Sequence, residues 1–547
     1  MTLQRKLQQP MKNSGTKPTL EHKHFLHNNY KYLLLFISLS LLNIFLLCRN
    51  FSSHSLSFNY TFIFMLVSSF FIEFLSCFII HKAKQKKWNI EKFFLILGLI
   101  IGTIYVFVLP IGRAPDEESH FFRAYELSLG HFVSDVTAEG SIGSMESSDI
   151  EFVREFKENN VTYSELLNYS NLYPNDDNQS FVITSAYNYN IFSYLPQVIG
   201  IWVGRIILHL PLIATIYLAK LFNLLACLTI FYYSIKHLPF LKEVAFLLVF
   251  LPITMQAMTS FSPDGLVIAS ATALISFVLF SNYSLSNLFV KKQYILMFII
   301  CLFLSMSKIA YAPLCLLLFA IPKERFGSIK KKYISIISMG MVIFAILLVW
   351  LIIAPSMQSV SDSSVQLSTI LNNPFKYLAI IIHSISTNAS LYLSGFFGGY
   401  LEWFNVVLSP LYVFTTFIIF IVICRDIYQR YTITKAFKTI AIIVSASLII
   451  ITFTTMFVQW TKVGETVIDG VQGRYFLPIM LLIPIWFLPI SKTSYSTPTA
   501  GTKSPVPSIN KKLQKQVLPI LSQNYYLYAF LVFENVYAIT AIACSHL

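Results

Sequence analysis

Long apolar runs separated by short polar links dominate the pattern of this chain. The runs cover residues 32–48, 61–80, 93–110, 191–208, 211–234, 243–260, 265–280, 294–321, 333–354, 376–398, 404–424, 436–457, 475–490 and 526–545. A helix of about 20 apolar residues crosses the hydrocarbon core of a bilayer and satisfies its own backbone hydrogen bonds there. The pattern therefore predicts an all-α, polytopic membrane helical bundle of about 11–13 spans.

The middle of the chain is compatible with two topologies. In the first, residues 191–208 span the membrane and residues 294–321 cross it once. In the second, residues 191–208 lie at the interface and residues 294–321 fold back near Ser307–Lys308. Residues 376–398 pose a similar question, because both of their flanking segments are expected on the same side.

Composition and charge support a membrane protein and orient it. The chain is 55% hydrophobic and only 12% charged, whereas soluble domains carry about 25% charged residues. The link at 81–92 contains five lysines, which predicts a cytoplasmic position, and the N-terminus then also lies in the cytoplasm. The formal charge of +14 therefore indicates membrane orientation and not a nucleic-acid partner.

The remaining segments fit that orientation. Residues 111–190 hold fourteen of the 26 acidic residues and only four basic ones, so they form an acidic extracytoplasmic loop within a membrane domain at 32–490. Residues 1–31 read as a disordered basic cytoplasmic tail. Residues 491–517 are predicted to form a cytoplasmic linker, and residues 518–547 a C-terminal apolar segment.

The start of the acidic loop carries candidate chemistry. Pro115 followed by three acidic residues is a helix-start signature, and it predicts a short helix over 115–129. Asp116, His120 and Arg123 would share one face of it, at spacings of four and three residues. That face suits proton abstraction from a hydroxyl, with the arginine binding a phosphate or orienting the acid. The alternative is an acidic helix cap with solvated ion pairs.

Three further polar positions lie at or inside apolar runs, where charge is costly. Arg474 and Tyr475 follow a glycine-containing turn, and they either bind a phosphate or anchor the helix at the interface. Asp264 begins an apolar run and is either functional or a helix cap. Lys308 pairs with an acid, binds a lipid phosphate or marks a loop.

Five motifs in this sequence resemble the DUF2142 family of predicted bacterial membrane proteins. They are "APDEESHFFRAYELSLG" at 114–130, "YNYNIFSYLPQVIGIWVGR" at 187–205, "SPDGLVIA" at 262–269, "SKIAYAPLCLLLFAIP" at 307–322 and "GRYFLPI" at 473–479. They occur in the family's order and span roughly residues 95–490. Ala114 stands where the family commonly has proline.

The family in turn resembles membrane glycosyltransferases of the GT-C fold, which use polyprenyl-phosphate-linked sugars. This resemblance implies transfer to a cell-envelope glycan on the outer face of a bacterial cell membrane, with a long first outer loop containing short helices. It implies that Asp116 or Glu117 is the base, that Arg474 and Lys308 bind the donor phosphate, and that these residues line the site: His120, Arg123, Tyr194, Asp264 and Tyr475. In such enzymes the loop acid serves as base or metal ligand, so no cofactor is certain and a divalent cation stays open.

Two other classes of function remain at this point. One is a transporter or flippase for a lipid-linked saccharide, although no internal repeat of the kind found in many transporters is visible. The other is a non-catalytic protein of envelope assembly. A nucleotide-driven machine is not indicated, because the chain has no phosphate-binding glycine loop.

Overall fold

A computed structural model describes residues 18–137, 140–146, 152, 162–169, 172, 179–183, 186–283, 288–354, 362–491 and 525–547. Nine helices within this part of the chain are long and apolar enough to cross a membrane. They are α1 (Pro18–Ser53), α2 (Tyr60–Gln85), α3 (Ile90–Val108), α7 (Leu212–His237), α10 (Asp264–Tyr283), α12 (Ile329–Ile353), α16 (Pro410–Arg430), α17 (Lys435–Gln459) and α19 (Tyr525–Ser545). This confirms the prediction of an all-α polytopic membrane protein.

Shorter elements fill the spaces between the long helices. The α-helices are α4 (Glu117–Ser128), α5 (Tyr163–Leu166), α6 (Leu195–Trp202), α8 (Lys242–Phe250), α9 (Pro252–Met258), α11 (Lys291–Ser307), α13 (Ser363–Asn372), α14 (Pro374–Thr387), α15 (Ala389–Phe396) and α18 (Ile483–Phe487). The 3-10 helices are Leu167–Tyr169, Ile191–Ser193, Ile309–Ala320, Lys323–Arg325 and Gly473–Leu482, and Val203–Ile207 is a π-helix.

The strands are few and short. They are β1 (Asp135–Thr137), β2 (Gly140–Glu146), β3 (Gln179–Ile183), β4 (Tyr400–Leu401) and β5 (Val406–Val407). The first three form an antiparallel sheet in the order β1-β2-β3, with Ile142 opposite Ile183. The acidic loop was expected to contain short helices, and the sheet adds an element that the prediction lacked.

The centre of the bundle is α10. In its apolar window 89% of the residues are buried inside the protein, compared with 22% for α12 at the periphery. It packs against α7, α11 and the 3-10 helix Gly473–Leu482. Because α10 begins at Asp264, this carboxylate lies where several elements converge.

The structure agrees with the fold-back of residues 294–321 that the second topology predicts. Helix α11 ends at Ser307, and the chain reverses at Lys308 so that the following 3-10 helix packs back against α11. The thiol of Cys315 lies 3.6 Å from the Ser305 hydroxyl across this reversal. Residues 376–398 form parts of two short helices, α14 and α15, and not one helix of spanning length.

One boundary differs from the predicted domains, and another lies outside the described residues. Helix α1 begins at Pro18, so the second half of the predicted tail 1–31 belongs to a helix, whereas residues 1–17 lie outside the described residues. The predicted linker 491–517 also falls outside them, apart from residue 491. The C-terminal segment forms α19, whose apolar window is 78% buried and packs against α1, α2 and α3.

Candidate functional site

Asp264, Lys308 and Arg474 form the centre of the candidate site. The Lys308 ammonium lies 3.0 Å from Oδ1 of Asp264, and Nε of Arg474 lies 3.8 Å from Oδ2. The three side chains are between 11% and 25% exposed. Two cations thus share one carboxylate, so the trio carries a surplus positive charge in a largely buried place, where charge interactions are strong.

Each member of the trio lies where a helix begins, ends or is interrupted. Asp264 opens α10, and its amide donates to the Ser262 hydroxyl. Lys308 lies at the reversal after α11 in an extended conformation, and Arg474 lies in the first turn of the 3-10 helix Gly473–Leu482. Distant motifs therefore converge because three interrupted segments meet at the same end of α10.

Close backbone packing sets the position of Arg474. A Cβ atom at Gly473 would lie 2.1 Å from the carbonyl oxygen of Tyr392 and 2.4 Å from the amide nitrogen of Phe396. Only glycine allows this approach between the segment and α15. The motif "GRYFLPI" thus uses its glycine for packing, and the arginine next to it is placed as a consequence.

Tyr475 supports both cations. Its ring centroid is 4.9 Å from the Lys308 ammonium and 5.5 Å from the Arg474 guanidinium carbon, which is the geometry of cation–π contacts. Its backbone carbonyl accepts a hydrogen bond of 2.9 Å from the Tyr311 hydroxyl. Tyr475 was expected to line the site, and in the structure its ring contacts both cations.

His120 and Tyr194 form a neighbouring pair. Nδ1 of His120 lies 2.6 Å from the Tyr194 hydroxyl, and the Tyr189 ring packs edge-on against the imidazole at 5.5 Å. Burial lowers the pKa of His120 to about 3, with Asp264 opposing the shift and Lys308 and Arg474 adding to it. The imidazole is therefore neutral at physiological pH, and it can take part in hydrogen bonding without adding charge.

Asp116 lies just before α4. It has a left-handed backbone conformation, with φ of 57°, and its side chain does not cap the helix. This conformation explains why α4 begins at Glu117 and not at Pro115 as predicted. The Asp116 carboxylate acts electrostatically on Arg474. The distant arginine therefore lies within range of the charge of the loop acid.

Glu117, the other predicted base, is used for packing. Its carboxylate accepts the amides of Gly112 at 3.0 Å and Ala114 at 3.2 Å, and it pairs with Lys220 at 3.1 Å. Glu117 and Lys220 are 1% and 0% exposed. These contacts fix the turn before α4 onto α7, so the Glu117 carboxylate is used within the protein.

Arg123 is fully buried, and its contacts are with other parts of the protein. It pairs with Glu126, donates to Ser134, and donates to the backbone carbonyls of Tyr189, His131 and Phe132. All three guanidinium nitrogens are thereby used within the protein. The expected face of Asp116, His120 and Arg123 is divided, because the arginine holds the loop together and is not directed at a phosphate.

A small cleft adjoins Asp264 and Arg474. Its walls mix apolar and polar side chains, namely Ala114, Pro115, Ile253, Gln256, Ala257, Ser260, Ser262, Asp264, Ile268, Arg474 and Leu477. Gln256 and Ser260 escaped the sequence analysis because they lie inside the apolar run 243–260, and their only signal was polarity within that run.

The side chains of the described residues do not form a metal centre. In the described part of the chain, no group of three His, Cys, Asp or Glu side chains is arranged to hold a metal ion. The carboxylate nearest the cations, Asp264, is already occupied by Lys308 and Arg474. We therefore derive no step through a divalent cation.

Comparison with known proteins gives one match. No curated protein and no solved structure matches the chain significantly. A family model described as a predicted membrane protein matches residues 99–483, a region that includes every residue of the candidate site. The match covers well over half of the 547 residues. The chain therefore belongs to the predicted membrane protein family DUF2142.

Proposed function

We propose that this protein is an integral membrane glycosyltransferase that moves a sugar from a polyprenyl-phosphate donor to a cell-envelope glycan on the outer face. Arg474 and Lys308 bind the donor phosphate, and Asp116 takes the proton of the acceptor hydroxyl. His120, Tyr194 and Asp264 position these groups. The assignment to the outer face rests on the lysine-rich link at 81–92 and the acidic composition of residues 111–190.

A single observation carries this proposal: two cations share one carboxylate at the edge of a cleft. A phosphate needs fixed donors and positive charge, which a guanidinium and an ammonium supply together. The trio is made by the ends of membrane-associated helices, so a lipid-linked phosphate reaches it from the bilayer. An aqueous acceptor reaches the same place from the loop side.

The proposed chemistry is a single displacement. The acceptor oxygen forms a bond to the anomeric carbon, and the bond between that carbon and the phosphate oxygen breaks. The proton of the acceptor passes to the Asp116 carboxylate, and the bonding electrons leave with the polyprenyl phosphate. Charge grows on the phosphate as the bond breaks, so the cations stabilise the transition state more than the ground state.

The neutral state of His120 fits this scheme. A protonated imidazole would add a third cation beside Lys308 and Arg474 and would compete for the Asp116 carboxylate. Its hydrogen bond with Tyr194 instead links α4 to α6. Such a link holds the loop acid in place relative to the cations, and catalysis depends strongly on that distance.

Transport of a lipid-linked saccharide is the second candidate, and buried acids inside spans favour it. Glu73 in α2 is 4% exposed and accepts hydrogen bonds from Ser40 and Asn43. Glu534 in α19 is fully buried and accepts from Thr416. Intramembrane carboxylates often mark ion or substrate pathways. None of the ion pairs found in the described residues involves either acid.

The test uses variants expressed at normal levels in cells that lack the native protein. Asp116→Asn and Arg474→Met remove the proposed base and phosphate ligand, and Asp469→Asn and Arg49→Met are matched exposed controls. Envelope glycans and lipid-linked sugars are measured by mass spectrometry in each strain. Transfer predicts loss of one glycan modification and accumulation of its lipid donor on the outer leaflet in both site variants.

Other outcomes separate the alternatives. Accumulation of the donor on the cytoplasmic leaflet would support transport and contradict transfer. Full retention of every glycan in both site variants would contradict any catalytic role and would favour an assembly protein. The controls should match the parent chain, since neither side chain lies in the candidate site.

A further inference from the structure

A second polar cluster lies beside the cleft and is not used in the proposed transfer step. Arg113 follows α3, Glu402 lies in the turn between β4 and β5, and His546 follows α19. All three residues are less than 7% exposed. Nε2 of His546 lies 2.7 Å from Oε1 of Glu402, and Glu402 acts electrostatically on the Arg113 guanidinium. Two distant parts of the chain thus bring a carboxylate and an imidazole into contact, and Arg113 lies within range of the charge of that carboxylate.

Each of the three side chains keeps a buried polar atom without a hydrogen-bond partner among the described residues. These atoms are Nε and Nη2 of Arg113, Oε2 of Glu402 and Nδ1 of His546. Unsatisfied buried polar atoms are costly, and native proteins rarely keep several in one place. Their concentration here indicates that a bound group completes the cluster.

The cluster is connected to the wall of the cleft. Gln256 lines the cleft, and its side-chain oxygen accepts the Glu402 amide at 2.8 Å. Ala114 and Pro115, which follow Arg113 directly, line the cleft as well. Glu402 adopts a left-handed backbone conformation, with φ of 55°, and its amide is held by Gln256. The cleft wall is therefore joined to the cluster through Gln256 and through the chain segment 113–115.

We propose that Arg113, Glu402 and His546 form a subsite that recognises hydroxyl groups of a saccharide. The choice of a saccharide rests on the proposed function. A sugar hydroxyl is both acceptor and donor: its oxygen accepts from the Arg113 guanidinium, and its hydrogen is donated to Oε2 of Glu402, with Nδ1 of His546 as a further hydrogen-bonding atom. A phosphate fits less well, because it would meet the Glu402 carboxylate, which repels it.

The test is direct binding to the full chain in lipid nanodiscs. The probes are methyl glycosides of glucose, galactose, mannose, rhamnose, arabinofuranose and N-acetylglucosamine, with farnesyl phosphate measured in parallel. The variants are Arg113→Met, Glu402→Gln and the double variant that carries both changes, which avoids a single unpaired buried charge. Arg49→Met and Glu465→Gln serve as exposed controls, and thermal unfolding checks that each variant is folded.

The subsite predicts that at least one glycoside binds the parent chain. Its Kd should rise about tenfold or more in each folded subsite variant, as expected for loss of a hydrogen bond to a charged group. Farnesyl phosphate should bind these variants as it binds the parent. An unchanged glycoside Kd in the folded double variant would overturn the subsite, as would failure of every glycoside to bind the parent.

The same measurements keep the two proposals apart. Arg474→Met should weaken farnesyl phosphate binding and leave the glycoside Kd within about twofold, a change smaller than about 0.5 kcal/mol. If farnesyl phosphate binding does not depend on Arg474, the proposed phosphate site fails while the saccharide subsite stands. If only the glycoside results fail, the phosphate site stands.

Discussion

Replacing Asp264 with asparagine removes the charge that holds Lys308 and Arg474 together. The substitution keeps the shape of the side chain, so its main effect is electrostatic. In the parent chain the carboxylate lies 3.0 Å from the Lys308 ammonium and 3.8 Å from Nε of Arg474. In the variant two largely buried cations face each other across a neutral amide.

The distances set the scale of the effect. With an effective dielectric constant of about 20, the two attractions are worth ~5 and ~4 kcal/mol at 3.0 and 3.8 Å. Much of this is offset by the desolvation of the charges, and removing one partner of a buried pair usually costs about 3–5 kcal/mol. The three side chains are 11–25% exposed. We therefore expect the unfolding free energy to fall by an amount near the lower end of this range, about 3 kcal/mol.

A double-mutant cycle isolates this interaction. Unfolding free energies of Asp264→Asn, Lys308→Met and the double variant are measured by titrating purified protein with denaturing detergent in mixed micelles. Removing Lys308 as well should relieve the repulsion that Asp264→Asn creates, so the double variant should be more stable than the sum of the single changes by about 1–3 kcal/mol. The partly exposed pair Asp426 and Arg430, spaced i, i+4 on α16, provides a control cycle with an expected coupling of at most about 1 kcal/mol.

Additivity of the two changes to within about 0.5 kcal/mol would refute the reasoning. It would mean that Lys308 does not sense the Asp264 charge, and the shared site would lose its electrostatic basis. The proposed phosphate site would then have to rest on Arg474 alone.

Three further predictions concern the supports of the site. Gly473→Ala should severely reduce the yield of folded protein measured by size-exclusion chromatography, because its Cβ would lie 2.1 Å from the Tyr392 carbonyl oxygen. The control Gly340→Ala should match the parent, because no atom lies within 4 Å of the added Cβ. Glu117→Gln should lower the unfolding free energy by about 3–5 kcal/mol by leaving buried Lys220 uncompensated, and Glu118→Gln should have a clearly smaller effect. His120 has a folded-state pKa of about 3 and an ordinary value of 6.5. The unfolded chain therefore binds a proton between these values, and His120 should lower stability by about 1 kcal/mol from pH 6.5 to 5.5, a loss that His120→Asn should abolish.

The sequence predicted the fold class well because crossing a bilayer constrains composition so strongly. Nine of the apolar runs became long helices in the described residues. The remaining runs were harder, since a run of apolar residues does not reveal where it breaks. The run 243–260 is interrupted at Leu251–Pro252, where proline begins α9, and the run 294–321 reverses at Lys308.

Helical spacing predicted a face of α4 but could not say what covers it. Asp116, His120 and Arg123 are spaced as expected, but the covering segments decide their roles. Backbone carbonyls from residues 131, 132 and 189 meet Arg123, whereas Tyr194 meets His120. These partners are up to 74 residues away in sequence, so local periodicity could not distinguish the structural arginine from the site histidine.

The C-terminal helix also has polar contacts that the sequence alone could not reveal. Its sequence suggested only an apolar segment, because Glu534 and Asn535 look like interruptions in a run. In the structure they are its anchors: Glu534 accepts from Thr416 in α16, and the Asn535 amide donates to the Phe250 carbonyl at the end of α8. These contacts hold α19 within the bundle, and His546, just beyond its end, meets Glu402 beside the cleft. The polar residues of α19 therefore determine how the last described segment reaches the candidate saccharide subsite, which explains why an apolar helix retains them despite their cost.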